Sequence, residues 1–288
     1  MNFYLGCAVW SYKGWLGDFY PAKSASSQLL NLYAQRLTTV EGNTTFYATP
    51  QPSTIERWRE QTPPGFKFCL KLPREVTHGG LLEPKIQQAL NFHDLALGLG
   101  DRLGAIFAQL PPSYSPAYLE DLTCFLRALP RQQTAFALEI RHPQWFETPH
   151  REQLIALLTQ LGVAKVLLDT RPIYECEGDP QIKSERRKPK LPLQPDISAP
   201  YTLIRFISHP QRDLNHSYLE WWAIQVATWL EEGKQVYFFV HCPVEEQSPG
   251  TARYFQQILE KKGISIPPLP WNQLVSEPQQ LNLFELGT

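Results

Sequence analysis

The feature that most restricts this chain is a repeated alternation of two patterns. Short apolar runs that read as strands occur at residues 4–10, 38–43, 66–71, 105–109, 135–141, 163–169, 203–206 and 236–241, which makes eight. Amphipathic, helix-like stretches lie between most of them, at 28–36, 84–97, 116–129, 151–161, 218–232 and 251–261. A strand that is followed by a helix and then by another strand implies parallel pairing, because a parallel crossover needs an intervening element. Eight such units in 288 residues predict an α/β fold with one domain over 1–288, a closed (β/α)8 barrel of the TIM type. The rival is a doubly wound open sheet, but no G-x-G-x-x-G or Walker A loop supports it.

Two segments depart from the alternation. Residues 170–200, between the sixth and seventh strands, show no helical periodicity and contain six prolines. The first part is acidic (Glu175, Glu177, Asp179) and the second basic (Lys183, Arg186, Arg187, Lys188, Lys190). This composition fits a solvated insertion; the alternative is a lid or a contact for phosphate groups. The tail 264–288, with Pro267, Pro268 and Pro270, reads as a strap closing over the barrel.

Successive strand residues face opposite sides, and in a barrel one side is the interior. In the fifth run Phe136, Leu138 and Ile140 form a bulky, helix-facing set, and Ala135, Ala137, Glu139 and Arg141 form the other. Small residues low in the barrel and charges at its top are what a mouth needs. The same split places Glu41 and Asn43, Lys71, Gln109, Arg205 and His241 at inner strand ends. Asp169 is the ambiguous member, since it shares a face with Lys165. Barrel active sites lie at this C-terminal end. The competing reading is a set of buried ion pairs that satisfy one another, although a fold does not need so many for stability alone.

The blocks around these ends have a recognisable order. They are GCAVWSYKGW at 6–15 with Phe19-Tyr20-Pro21, VEGNTTFY at 40–47, Phe66-Lys67-Phe68 with Lys71, Thr77-His78, QLPP at 109–112, and EIRHP at 139–143 with Trp145. Together they resemble the domain-of-unknown-function 72 family, also called YecE-like, from Gly6 to about Tyr254. The resemblance implies a TIM-type barrel and supplies no activity. The chain departs from the family pattern at His241-Cys242, where an Asn pair is expected. It departs again after Arg205, where Ser208-His209-Pro210 replaces a His-Gly element.

The mouth residues define a chemistry. Arg141 and Arg205 offer planar forks for carboxylate or phosphate, and Lys71 adds a point charge. The expected catalytic groups are Glu41, Lys71, Glu139 and His241, with a carboxylate as general base and His241 exchanging protons. The expected ligand contacts are Trp10, Asn43, Tyr47, His78, Gln109, Arg141, His142, Asp169 and Arg205. Trp10, Tyr12, Trp15, Tyr47 and Trp145 are candidate apolar walls, against ordinary loop packing. Cys242 is a candidate nucleophile, against a packed thiol. No cofactor is expected. A divalent metal on Glu41, Glu139 and Asp169 with His142, His209 or His241 stays open, but three cations oppose it and no H-x-H or H-E-x-x-H spacing occurs.

The partner implied is therefore a small anionic or sugar-like metabolite, including a phosphorylated one, turned over by acid–base chemistry. The alternatives are a metal-dependent sugar isomerase or phosphoester hydrolase, and a non-catalytic nucleic-acid or protein-binding module using residues 183–190. The formal net charge of −1 provides no global attraction to nucleic acid or anionic membrane. The five cysteines are odd in number and form no C-x-x-C, which fits a reducing compartment. The opening MNFYLGCAVW has no signal-peptide pattern, and no apolar run approaches the ~18 residues of a membrane span. A cytoplasmic location is expected, and oligomeric state is left open.

Overall fold

The computed structural model describes residues 2–182 and 187–273. The elements run β1 (Phe3–Cys7), α1 (Leu29–Ala34), β2 (Thr39–Gly42), α2 (Thr44–Tyr47), α3 (Pro52–Glu60), β3 (Lys67–Lys71), α4 (Arg74–Thr77), α5 (Ile86–Ala96), β4 (Leu103–Gln109), α6 (Leu119–Ala128), β5 (Phe136–Glu139), α7 (His150–Leu161), β6 (Ala164–Asp169), α8 (Arg171–Tyr174), β7 (Tyr201–Ile207), α9 (His216–Glu231), β8 (Gln235–His241) and α10 (Ser248–Lys261). All eight strands pair in parallel and in chain order, and β8 closes on β1. The fold is the (β/α)8 barrel that the alternation predicts. No helix among the described residues is long and apolar enough to cross a membrane.

Two apolar layers result from the period of two. The larger one lies between strands and helices, and takes Leu5, Val40, Phe68, Ile106, Leu138 and Phe206 from the strands. The smaller one fills the barrel, with Tyr4, Cys69, Phe107, Ala137, Val166, Leu203, Tyr237 and Phe239. Tyr4 and Tyr237 stack with ring centroids 5.0 Å apart. This filling makes the interior a packed plug, so polar groups are left to the C-terminal end. The short helices α2, α4 and α8 each begin within three residues of a strand's end, and so shape that end.

The insertion is anchored along its second half. Asp196 accepts from Arg151 (2.5 Å) and Lys165 (2.9 Å), and Ser198 bonds the backbone at Val163 and Lys165. Tyr174 donates to the Lys188 carbonyl, and the Lys188 N–H donates to Gln181 Oε1. Described residues 187–200 carry no helix or strand. Of the basic residues noted in the sequence, Lys183 and Arg186 lie outside the described residues, as does 274–288 of the expected strap. Residues 264–273 run along the helix layer and not across the mouth. Gln256 on α10 bonds the Pro267 carbonyl (3.0 Å), and Trp271 meets Phe19 edge-on (4.9 Å) and donates to the Arg36 carbonyl.

The seam between β1 and β2 has no room for a side chain at Gly6. Tyr33 of α1 inserts its hydroxyl there, accepting from the Cys7 N–H (2.7 Å) and donating to the Thr39 carbonyl (2.9 Å). A Cβ on Gly6 would sit 1.9 Å from the Thr39 carbonyl oxygen and 3.0 Å from the Tyr33 hydroxyl. Backbone cannot yield to that contact without opening the seam. Gly6→Ala is therefore expected to destabilise the fold by ~3 kcal/mol or more. Urea unfolding checks this, and a midpoint unchanged from the parent's contradicts it.

Candidate active site

Six of the inner strand ends converge on one buried network. Arg205 on β7 reaches across the barrel and grips Glu41 of β2 with both ends of its fork, through Nε and Nη2 at 2.8 Å each. The third nitrogen, Nη1, donates to Glu139 Oε2 on β5. Arg141 donates from Nε to Glu139 Oε1 (2.7 Å) and from Nη2 to Gln109 Oε1 (2.7 Å). Gln109 Oε1 also accepts from Lys71 Nζ (2.8 Å), and His241 Nε2 meets Glu41 Oε2 at 2.9 Å. Glu41, Arg205 and Glu139 are 0%, 2% and 1% exposed. They form the floor of the mouth, and Arg141 is its partly open edge.

Burial alone would raise both carboxyl groups. For Glu139 it is outweighed by Arg205, then Arg141 and Lys71, which hold it at about 2. For Glu41, Arg205 and then His241 outweigh it and hold it well below the usual range. Burial pushes His241 down to about 4, against the pull of Glu41. Its neutral ring then donates Nε2–H to the carboxylate. Glu41 and Glu139 are thus saturated anions, poor proton acceptors whose evident work is to hold Arg205.

Lys71 differs. The residue is 5% exposed, the nearest polar partner of its amine is a neutral amide, and the Phe46 ring covers the amine at 3.6 Å. Burial first, then Arg205, lowers its pKa to about 7, although Glu139 and Glu41 pull the other way. Phe46 also meets the His78 ring edge-on (5.0 Å). His78 bonds Thr77 through Nδ1 (2.9 Å) and is pushed down to about 4 by burial, then by Lys71 and Arg141. A cavity of about 400 Å³ opens beside these rings, lined by Phe46, Tyr47, Pro73, Arg74, Glu75 and His78. Tyr47 is 62% exposed on its rim.

Three expected contacts lie elsewhere. Asp169 faces the helices, where it accepts from Trp222 Nε1 (2.7 Å), twice from the Arg171 guanidinium (2.9 Å each) and once from the Arg171 backbone N–H (3.1 Å). The reason is the register of β6, whose Ala164 and Val166 fill the barrel and leave Lys165, Leu167 and Asp169 outside. Trp10 packs edge-on against Trp58 (5.2 Å) and Phe68 (6.1 Å) in the helix-facing layer, because β1 ends at Cys7 and the alternation ends with it. His142 caps the turn that follows it, with Nδ1 accepting from Gln144 N–H (3.3 Å). Asn43 is partly exposed and ties β2 to β1 by donating to the Ala8 carbonyl (3.1 Å). Among the wall candidates, Trp15 and Trp145 are buried loop anchors that donate to the carbonyls of Glu245 and Tyr114. Cys242 is buried, which raises its thiol to about 11. No group of three or more His, Cys, Asp or Glu among the described residues is placed to hold a metal ion.

The structure adds residues that the alternation does not reach. Phe46 lies in the quoted VEGNTTFY block, but only the turn of α2 brings it over Lys71. Lys188 comes from the insertion and is lowered to about 8, by burial and then by Arg205, with Glu41 opposing. Glu245, after β8, is raised to about 8 by burial, which Lys188 partly offsets. The only sequence signal for Lys188 is its place in a basic run.

The family profile described as "Protein of unknown function DUF72" matches residues 4–274. The UPF0759 protein YecE of Escherichia coli (strain K12) is 32% identical over 284 residues, 98% of this chain and 99% of that one. The UPF0759 protein YunF of Bacillus subtilis (strain 168) is 26% identical over 180 residues, 60% of this chain and 62% of that one. Two solved structures share the fold, both of DUF72 family proteins and both with a TM-score of 0.67. One, from Enterococcus faecalis V583, is 18% identical and aligns over 90% of this chain and 97% of its own. The other, from Thermotoga maritima MSB8, is 22% identical and aligns over 90% and 100%. With a profile that runs nearly end to end and a relative of almost full length, the chain belongs to the DUF72 family.

Proposed function

We propose that the protein is an enzyme that takes a small anionic metabolite, carboxylated or phosphorylated, at the barrel mouth, with Lys71 as the proton carrier. One observation carries this reading. Nη1 of Arg141 and Nζ of Lys188 donate to no described residue, whereas both ionised carboxylates beneath them are fully engaged. Arg205, Arg141, Lys188 and a protonated Lys71 outnumber Glu41 and Glu139. The surplus charge and the unspent donors call for an anion. A group that titrates near neutrality within this field suits general acid–base work. Glu41, Glu139 and His241 then act as positioning residues for Arg205.

Sulfate is a suitable first probe because it does not titrate near neutrality. Wild-type protein should bind it, and Arg141→Gln should weaken binding about tenfold or more, the worth of a charge-assisted hydrogen bond. Asp169→Asn should lower stability by ~2 kcal/mol through its Trp222 and Arg171 bonds and leave sulfate affinity unchanged. Arg205 is a poor choice for this test, because its loss strands two buried carboxylates at ~3–5 kcal/mol. Calorimetric titration decides. Absence of anion binding, or Arg141→Gln binding as the parent does, overturns the reading.

The pH dependence has a definite sign. Lys71 and Lys188 have lowered values near 7 and 8, so they carry charge below these and lose it above. Sulfate affinity should fall as pH rises from 6 to 8.5, and Lys71→Met should flatten the lower part of that fall. Affinity that is constant across this window contradicts the assignment of Lys71 to the site.

A further inference from the structure

We infer that the substrate of this site is an anionic aldehyde or ketone and that the Lys71 amine attacks its carbonyl carbon to form an iminium. This rests on the mouth being a site for small anions and names what the anion carries. A fully buried lysine normally has a carboxylate partner. Among the described residues Lys71 has none within ion-pair distance. Its Nζ instead donates one hydrogen to Gln109 Oε1 at 2.8 Å and lies under an aromatic face. The charged groups that face it are Arg205 from β7, Glu139 and Arg141 from β5, Glu41 from β2, and His78 beyond α4. Two guanidiniums and two carboxylates nearly offset each other, so dry surroundings decide the outcome. An amine made neutral by desolvation and neighbouring cations is an activated nucleophile.

Geometry supports attack more than a structural role. A purely structural position here would be better filled by a hydrophobic side chain of the same length, without the cost of burying an amine. The Gln109 bond fixes the direction of the amine through one N–H and leaves its lone pair free. Phe46 both covers Nζ and lines the cavity of about 400 Å³, so one ring separates the amine from a space of metabolite size.

The step balances without an outside reagent. Lys71 ammonium gives up a proton, and the nitrogen lone pair forms a C–N bond as the carbonyl π bond breaks. The oxygen takes that proton to give a carbinolamine. Nitrogen then loses its second proton to the same oxygen, the C–O bond breaks, and water leaves as C=N⁺ forms. Ammonium plus carbonyl becomes iminium plus water. The positive charge stays where Glu139 and Glu41 already face it, and Arg141 and Lys188 are left for the substrate's acid group.

The test is reductive trapping with glyoxylate and cyanoborohydride at pH 7, read by peptide mass spectrometry. A lysine of ordinary pKa is neutral at pH 7 in only roughly one molecule in a few thousand, whereas Lys71 with a value of about 7 is half neutral. Lys71 should therefore be labelled at least about tenfold faster than the mean of the exposed lysines, even with restricted access. Sulfate should slow the labelling and Phe46→Ala should speed it. In Lys71→Arg the label at position 71 should be lost, and the slower labelling of Lys188, whose value of about 8 leaves roughly one amine in ten neutral at pH 7, should be the fastest that remains. Labelling of Lys71 no faster than the exposed lysines, with sulfate still bound, overturns the iminium and leaves the anion site standing. Failure to bind sulfate at all removes both.

Discussion

The mouth of this barrel depends on one guanidinium. Arg205 joins β7 to β2 and β5, strands on different sides of the barrel, and all three of its nitrogens are committed. It rests above the Phe107 ring, at 5.8 Å, so the polar floor sits directly on the apolar plug. Such a network is a poor source of stability, because desolvating three charged groups offsets most of the Coulomb energy that they recover. A layer of Leu and Ile would close the barrel more cheaply. What the network supplies is fixed charge at a defined height, which orients Arg141 and Gln109 and, through Gln109, the Lys71 amine.

That floor was legible in the sequence because period-two alternation is enforced inside a closed barrel. A strand that slipped by one residue would exchange its plug and helix-facing sets. Glu41, Lys71, Gln109, Glu139, Arg205 and His241 therefore come together as the pattern requires. The pattern fails where the strand stops. Trp10 lies three residues past Cys7, and His142 lies three past Glu139, so neither inherits a face. Arg141 also lies past its strand, and reaches the floor because its long side chain turns back to Glu139. For Asp169 the strand is present but both faces were plausible, since Lys165 and Asp169 look equally polar. The contest was settled by Asp196 and Trp222, partners far along the chain. Phe46 and Lys188 were beyond reach for a related reason. Each is placed by a turn or loop whose path is set by tertiary packing and carries no periodicity.

The mouth is also lopsided. On the β6–β7 side Leu168 and Ile207 pack with Ile173 of α8, and Tyr174 and Leu191 from the insertion cover them. This apolar cluster closes that side and holds the backbone from which Lys188 projects, since Tyr174 donates to the Lys188 carbonyl. On the opposite side α2 and α4 leave the cavity beside Phe46 and His78. The insertion thus closes one half of the mouth with hydrophobic contacts and brings a cation to the remainder. The same sequence features, many prolines and a basic run, would equally describe a solvated loop. Only its anchoring through Asp196, Ser198 and Tyr174 distinguishes the two.

The electrostatics of the two amines follow from the floor's balance. Around Lys71 the raising influence of Glu139 and Glu41 is set against the lowering influence of Arg205 and Arg141. The same four groups act on Lys188. With two charges of each sign held at fixed places, their sum at either amine is small and burial determines the direction of the shift. Were Arg205 absent, Glu41 and Glu139 would face only Arg141 and burial, and both amines would be lowered less. A guanidinium that touches neither amine is therefore second only to burial in lowering Lys71. The link across the mouth between β2, β5 and β7 and the electrostatics around its amines involve the same three side chains, Glu41, Glu139 and Arg205.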